Sequence, residues 1–344
     1  MIESENEMAC ATSQRAQRAL FSVAPMMDWT DRHCRAFHRM LTRRALLYTE
    51  MATTGAILHG PRDRLLDPGA VEGPTVLQLG GSEPQDLAAA ARIGAGFGYD
   101  EINLNCGCPS PRVQRGAFGA CLMREPETVA AAVAAMADAV DLPVTVKCRL
   151  GVDDDDEETR LFQFVETVAA AGCATFVVHA RKAWLNGLSP KENRDVPPLN
   201  YDLVAKLKRV RPDLTIVLNG GLDGLDATDI AAGAGLDGVM LGRAAYQNPW
   251  LLSDVDRRIF GDPPADITRY DVVDQLAEYA EQECTKGARL HSISRHILGL
   301  FQGMPGARAY RRHLSENAPD ASAGPEVILA AAALVRQPSA QAAA

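Results

Sequence analysis

Eight short runs rich in apolar, β-favouring residues recur at intervals of a few tens of residues, over 21–26, 46–51, 75–79, 101–105, 144–147, 175–179, 215–219 and 238–242. Between them the patterning is helical, as over 126–140 and 201–210. Runs that are continuously apolar rather than alternating are what parallel strands look like when both faces are buried. Eight such βα units is the number that closes a (β/α)8 TIM barrel, and count and spacing favour that α/β architecture over a doubly wound open sheet. After Pro249 the strand pattern stops, and helical patterning over 270–284, 290–301, 307–315 and 325–335 predicts a smaller all-helical domain. Gly and Pro punctuate 260–264, so the expected division is a disordered tail at 1–20, a barrel over 21–260 and a helical domain over 261–344 that ends in a second disordered tail.

Composition narrows the class. With 47% hydrophobic and 23% charged residues the chain is an ordinary globular protein, and no window of 18 uninterrupted apolar residues is long enough to span a bilayer. The first twenty residues open acidic and hold no apolar core of a signal peptide, so a cytoplasmic location is expected. Eight scattered cysteines, without a repeated Cys-x-x-Cys or paired histidines, fit neither a disulfide framework nor a zinc site; no metal is expected. The formal charge of −9 argues against bulk nucleic-acid binding.

In a TIM barrel the working side chains project from the C-terminal ends of the strands. Polar residues gather there in register: Asp28, Glu50, Gln78, Asn105 followed by Cys108, Lys147 with Arg149, His179 with Arg181, Asn219, and Arg243. Asn219-Gly220-Gly221 and Gly242-Arg243 stand after strands seven and eight, where barrels build phosphate sites from backbone N–H groups. Gln78, Lys147 and His179 together suit the pyrimidine edge of a flavin better than a sugar phosphate, and no Gly-x-Gly-x-x-Gly follows an early strand, which favours a mononucleotide over tightly held NAD. Lys147 is also placed for a Schiff base, the reading of an aldolase. Gly107 and Pro109 fix a turn that presents Cys108 to the mouth, where a thiol with an ordinary pKa of about 8.5 can act as a general acid.

Five segments resemble the tRNA-dihydrouridine synthases: Val-Ala-Pro-Met-Met-Asp-Trp-Thr-Asp at 23–31, Leu-Gln-Leu-Gly-Gly at 77–81, Asn-Leu-Asn-Cys-Gly-Cys-Pro-Ser at 103–110, His-Ala-Arg-Lys at 179–182 and Leu-Asn-Gly-Gly at 218–221. The stretches 183–193 and 300–308 are similar to the A-type bacterial subfamily, which acts at positions 20 and 20a, and the resemblance runs from about residue 21 to 317. It implies an FMN enzyme that reduces the C5=C6 bond of a D-loop uridine in tRNA, with NADPH as reductant. It places flavin contacts on Pro25, Met26, Met27, Gln78, Lys147, His179, Asn219, Gly220, Gly221, Gly242 and Arg243. It places the proton donor to C5 on Cys108, opposite a hydride delivered to C6 from flavin N5, and RNA contacts on Asn105, Lys191 and Arg194. Cys106 and Cys148 depart from the Val or Leu and the Thr expected in relatives. They raise the density of thiols near the pocket and, with it, the expected risk of oxidation.

Residues 284–315 hold Lys286, Arg289, Arg295, Arg308, Arg311 and Arg312 and no acid, a basic window in an acidic chain that predicts an RNA contact, with Arg308 and Arg311 among its members. Arg32, Arg35, Arg39 and Arg43 have helical spacing and would form either a phosphate-tracking stripe or a solvated face. The acidic run 153–158 precedes a helical stretch and fits a helix N-terminus, away from RNA. Three other readings compete: a flavin oxidoreductase of a free pyrimidine or small enone, a Schiff-base aldolase, and a non-catalytic RNA-binding protein. A monomer is expected.

Overall fold

The computed structural model describes residues 17–69 and 72–335. The eight expected strands are present: β1 Phe21–Val23, β2 Leu46–Thr53, β3 Thr75–Gly80, β4 Glu101–Cys106, β5 Val144–Cys148, β6 Thr175–His179, β7 Thr215–Asn219 and β8 Gly238–Leu241. They close in chain order into one barrel, every pairing parallel, with β8 against β1. Helices follow the strands, so the architecture is the (β/α)8 barrel. The interior packs Tyr48, Val76, Val177, Val217 and Met240, which come from different strands.

Local signals set the helix ends. Pro126 opens the helix Pro126–Ala139, where its missing N–H costs nothing. Asp156 caps Glu157–Ala170 by accepting from Thr159 N, so the acidic run sits at a helix N-terminus as expected. Thr268 and Asp271 form a reciprocal capping box on Arg269–Thr285.

The chain divides into two compact units after Gly242, eighteen residues before the expected boundary at 260. The second unit takes Arg243 onward and also Asp31–Arg44, which includes the helix Arg32–Leu41 between β1 and β2. Asp256 there accepts from the backbone N–H of Arg43 at 2.7 Å, and a Cβ on Gly299 would lie 2.3 Å from Gln247 O. The Gly-Pro cluster after Phe260 therefore ends a helix within this unit, with Gly261 as its left-handed cap at φ 74°. The same close approach explains why the helix expected over 290–301 stops at Ser294: tight i to i+3 turns carry the chain past Gly299.

Arg32, Arg35 and Arg39 do not make the exposed stripe that their spacing suggested. Arg35 is 4% exposed, Arg32 pairs with Glu283 at 2.6 Å, and Arg39 donates to Thr42 O. Spacing locates a face but not what packs on it. The tail expected over 1–20 lies outside the described residues up to 16. Residues 17–19 are a helical turn, and Ala19 O is so close to Gly238 that any Cβ there would overlap it. The tail expected at the C terminus, beyond 335, also lies outside the described residues.

Candidate active site

Strand register explains why these side chains meet. On β4 and β5 the pairs Asn103–Thr145 and Asn105–Lys147 face the barrel interior, alternating with Cys106–Cys148 on the outside. Lys147 Nζ donates to Asn219 Oδ1 at 2.9 Å, and Asn219 Nδ2 donates to Met240 O, so strands five, seven and eight are tied at one point. Burial, followed by the Arg149 charge, pushes the Lys147 ammonium down to about 8. His179, at the end of β6, is held well below the usual imidazole range by burial and then by Arg149 and Lys147, so it is neutral at physiological pH.

Gly220 and Gly221 follow at φ 104° and 69°, a backbone that disfavours other residues. A Cβ on Gly220 would lie 2.3 Å from His179 Cδ2, and Tyr201 donates its phenol hydrogen to Gly220 O at 2.7 Å. Gly242 leaves room beside Met26, which packs against the barrel core, whereas Met27 is exposed. Asp28 turns the chain at φ 64°, its N–H donating to Glu50. Pro25 lies in the segment between β1 and this turn, and Arg243 opens the helix Arg243–Gln247.

Gln78 is gripped from both sides: its Nε2 donates to Asn103 Oδ1 and its Oε1 accepts from Asn105 Nδ2, each at 2.8 Å. Asn105 in turn accepts from Gly107 N and Cys108 N at 3.1 and 2.9 Å, so the buried Asn105 orders the turn that presents the half-buried Cys108. Both ends of the Asn105 amide are thus engaged inside the protein.

Arg149, which sequence reasoning placed at a strand end without a role, is the strut of the mouth. It donates at 2.9 Å to Gly107 O, Lys182 O and Asn193 O, holding the Cys108 turn and the long loop after β6 together. Asn193 is fully buried and ties that loop to itself through Trp184, Leu188 and Ser189, which leaves Lys191 and Arg194 exposed on its surface. Gln114 spans Pro109 O and Leu185 O. The signal for Arg149 was there in period two, two residues past Lys147 on the same strand-end face. Asn193 and Gln114 carried none.

Cys106 and Cys148 are fully buried, and burial pushes both thiols up, Cys148 to about 12. They lie outside the barrel wall rather than in the mouth, so the expected oxidation risk does not apply to them. In the basic window Lys286 pairs with Glu283 and Arg295 with Asp31. Arg308, Arg311 and Arg312 share one exposed face of the helix Ala307–Asn317, opposite the buried Ala307, Tyr310 and Leu314.

Arg149 is buried and Lys147 half-buried, two cations with no carboxylate partner among the described residues, beside a pair of left-handed glycines. Burying charge without a counter-charge is costly, so the mouth has the electrostatics of an anion site. A parallel barrel with such a site and a half-buried thiol at its strand ends is that of a TIM-barrel enzyme. Residues 22–336 match the family described as Dihydrouridine synthase (Dus), and the chain belongs to that family. It is 56% identical over 308 residues to the tRNA-dihydrouridine(20/20a) synthase of Vibrio cholerae serotype O1, covering 89% of this chain and 94% of that one. It is 57% identical over 328 residues to the protein of the same description from Yersinia pestis, covering 94% of each. The solved structure of morphinone reductase shares the fold, with a TM-score of 0.51 at 14% identity over 74% of this chain and 91% of that one.

Proposed function

We propose that this protein reduces the C5=C6 bond of the D-loop uridine at position 20 or 20a of tRNA to 5,6-dihydrouridine, with bound FMN and with NADPH as reductant. The observation that carries the reading is a pair of cations, the half-buried Lys147 and the buried Arg149, with no carboxylate partner among the described residues and in the same mouth as Cys108. These residues fit an anionic flavin. The N–H groups of Gly220 and Gly221, with Gly242 and Arg243, would hold its phosphate, and Lys147, Gln78 and neutral His179 its pyrimidine edge, over a floor from Pro25, Met26 and Met27. The chemistry that FMN would supply there, once reduced by NADPH, is hydride transfer to C6 of the uracil.

The rest falls to side chains of this chain. Cys108 Sγ holds the proton that C5 takes up, and Asn105, through the Gly107 and Cys108 N–H groups, fixes where that sulfur sits. Asn105 Nδ2 has one hydrogen left after its bond to Gln78, which suits a uracil carbonyl. The uridine must leave its stack to reach the mouth, so Lys191, Arg194, Arg308 and Arg311 hold the RNA backbone. On this reading the enzyme works in the cytoplasm as a monomer, without a metal ion. Mass spectrometry of an unmodified tRNA transcript incubated with NADPH tests it. The wild type forms dihydrouridine, while Cys108→Ala keeps its flavin but loses roughly 10²- to 10⁴-fold in rate. NADPH oxidation without dihydrouridine would instead point to a free pyrimidine or small enone.

A further inference from the structure

A line of hydrogen bonds runs through the barrel interior from the Cys108 turn to Glu101, and all its bonds point one way. The N–H groups of Gly107 and Cys108 can only donate, so Asn105 must turn Oδ1 toward them. That leaves Asn105 Nδ2 to donate to Gln78 Oε1, Gln78 Nε2 to donate to Asn103 Oδ1, and Asn103 Nδ2 to donate to Thr145 Oγ1, each at 2.8 Å. Thr145 has one hydrogen, and it goes to Glu101 Oε1 at 2.6 Å. The Tyr48 phenol reaches the same oxygen at 3.3 Å. Turning any amide in the line would set donor against donor or acceptor against acceptor, so the order holds throughout only if the line ends on an acceptor. Glu101 is buried, at the start of β4, and lines a small cavity with Ser22, Tyr48, Thr145 and Thr175.

We propose that Glu101 is a positioning residue that acts through Thr145, Asn103 and Gln78 to fix both the Gln78 amide and the turn carrying Cys108. This rests on the function proposed above for what Gln78 and Cys108 do, but the geometry it describes is independent of it. The test compares Glu101→Leu, which removes the acceptor, Glu101→Gln, which keeps a carbonyl for Thr145, Thr145→Val, which cuts the line with little change of shape, and the double variant Glu101→Leu/Thr145→Val. Two quantities are read: the rate at which iodoacetamide alkylates Cys108, resolved by peptide mass spectrometry with Cys284 as internal reference, and kcat and KM on tRNA.

Glu101→Leu and Thr145→Val should each raise the Cys108 alkylation rate and lower kcat by about three- to tenfold at unchanged KM. Glu101→Gln should match the wild type, and the double variant should be no worse than Thr145→Val alone. The proposal is overturned if Glu101→Gln is as impaired as Glu101→Leu, if the two losses add, or if Cys108 reacts at the wild-type rate in folded Thr145→Val. Should Glu101→Leu not fold, Thr145→Val and Glu101→Gln decide it. A wild type that forms no dihydrouridine would sink the proposed function while leaving the alkylation series to decide Glu101.

Discussion

A lysine desolvated without a carboxylate beside it destabilises the free protein, and a bound anion removes that penalty. Lys147 is such a residue, pushed down to about 8 by burial from its ordinary 10.5. Between those two values the unfolded chain holds the proton that the folded chain has lost. The flavin-free protein should therefore gain stability as pH rises from about 8 toward 10.5, which melts across that range will show and which Lys147→Met should flatten. Binding has the opposite sign. An anion favours the ammonium, so flavin affinity should fall as pH rises through about 8, by up to about tenfold per unit, when titrated by fluorescence. At Gly220 a methyl group would meet the His179 ring on a backbone that resists it, and Gly220→Ala should cost about 1–3 kcal/mol and release flavin, read by melting and by absorbance.

Among the elements, the loops after β4 and β6 have little regular structure of their own and depend on Arg149. Burial lowers its guanidinium to about 10, still charged at neutral pH, and its three carbonyl acceptors are all on these loops. Arg149→Ala leaves those carbonyls without their donor and should cost about 3 kcal/mol. Hydrogen exchange should accelerate over 107–120 and 182–194 while the strands stay protected; uniform acceleration would mean that the strut role is wrong. Strand positions and their inward faces were legible in the sequence because period two is local: Gln78, Asn105, Lys147, His179 and Asn219 all face the mouth that their register implied. Arg149 was visible at its strand end, but its partners lie 33 to 44 residues away and were not.

For the whole molecule, the formal charge of −9 says little about where RNA binds, because charge is distributed by surface and not by chain. Lys286 and Arg295 are engaged with acids, whereas Arg308 and Arg311 stand on an exposed helix face. Alanine at both should weaken tRNA binding and reduce the slope of log K against log salt by about 1–2, with the melting temperature unchanged. An unchanged slope would remove that helix from the interface. The sequence by itself determined the eightfold βα repeat, the polar strand ends and the all-helical character of the later chain, since each is written in short-range periodicity and turn chemistry. Only the tertiary structure decided that the division falls at Gly242, that Arg35 is buried, and that Arg149 joins the loops after β4 and β6. Those outcomes depend on which distant surfaces meet, and a local pattern marks a face without naming its partner.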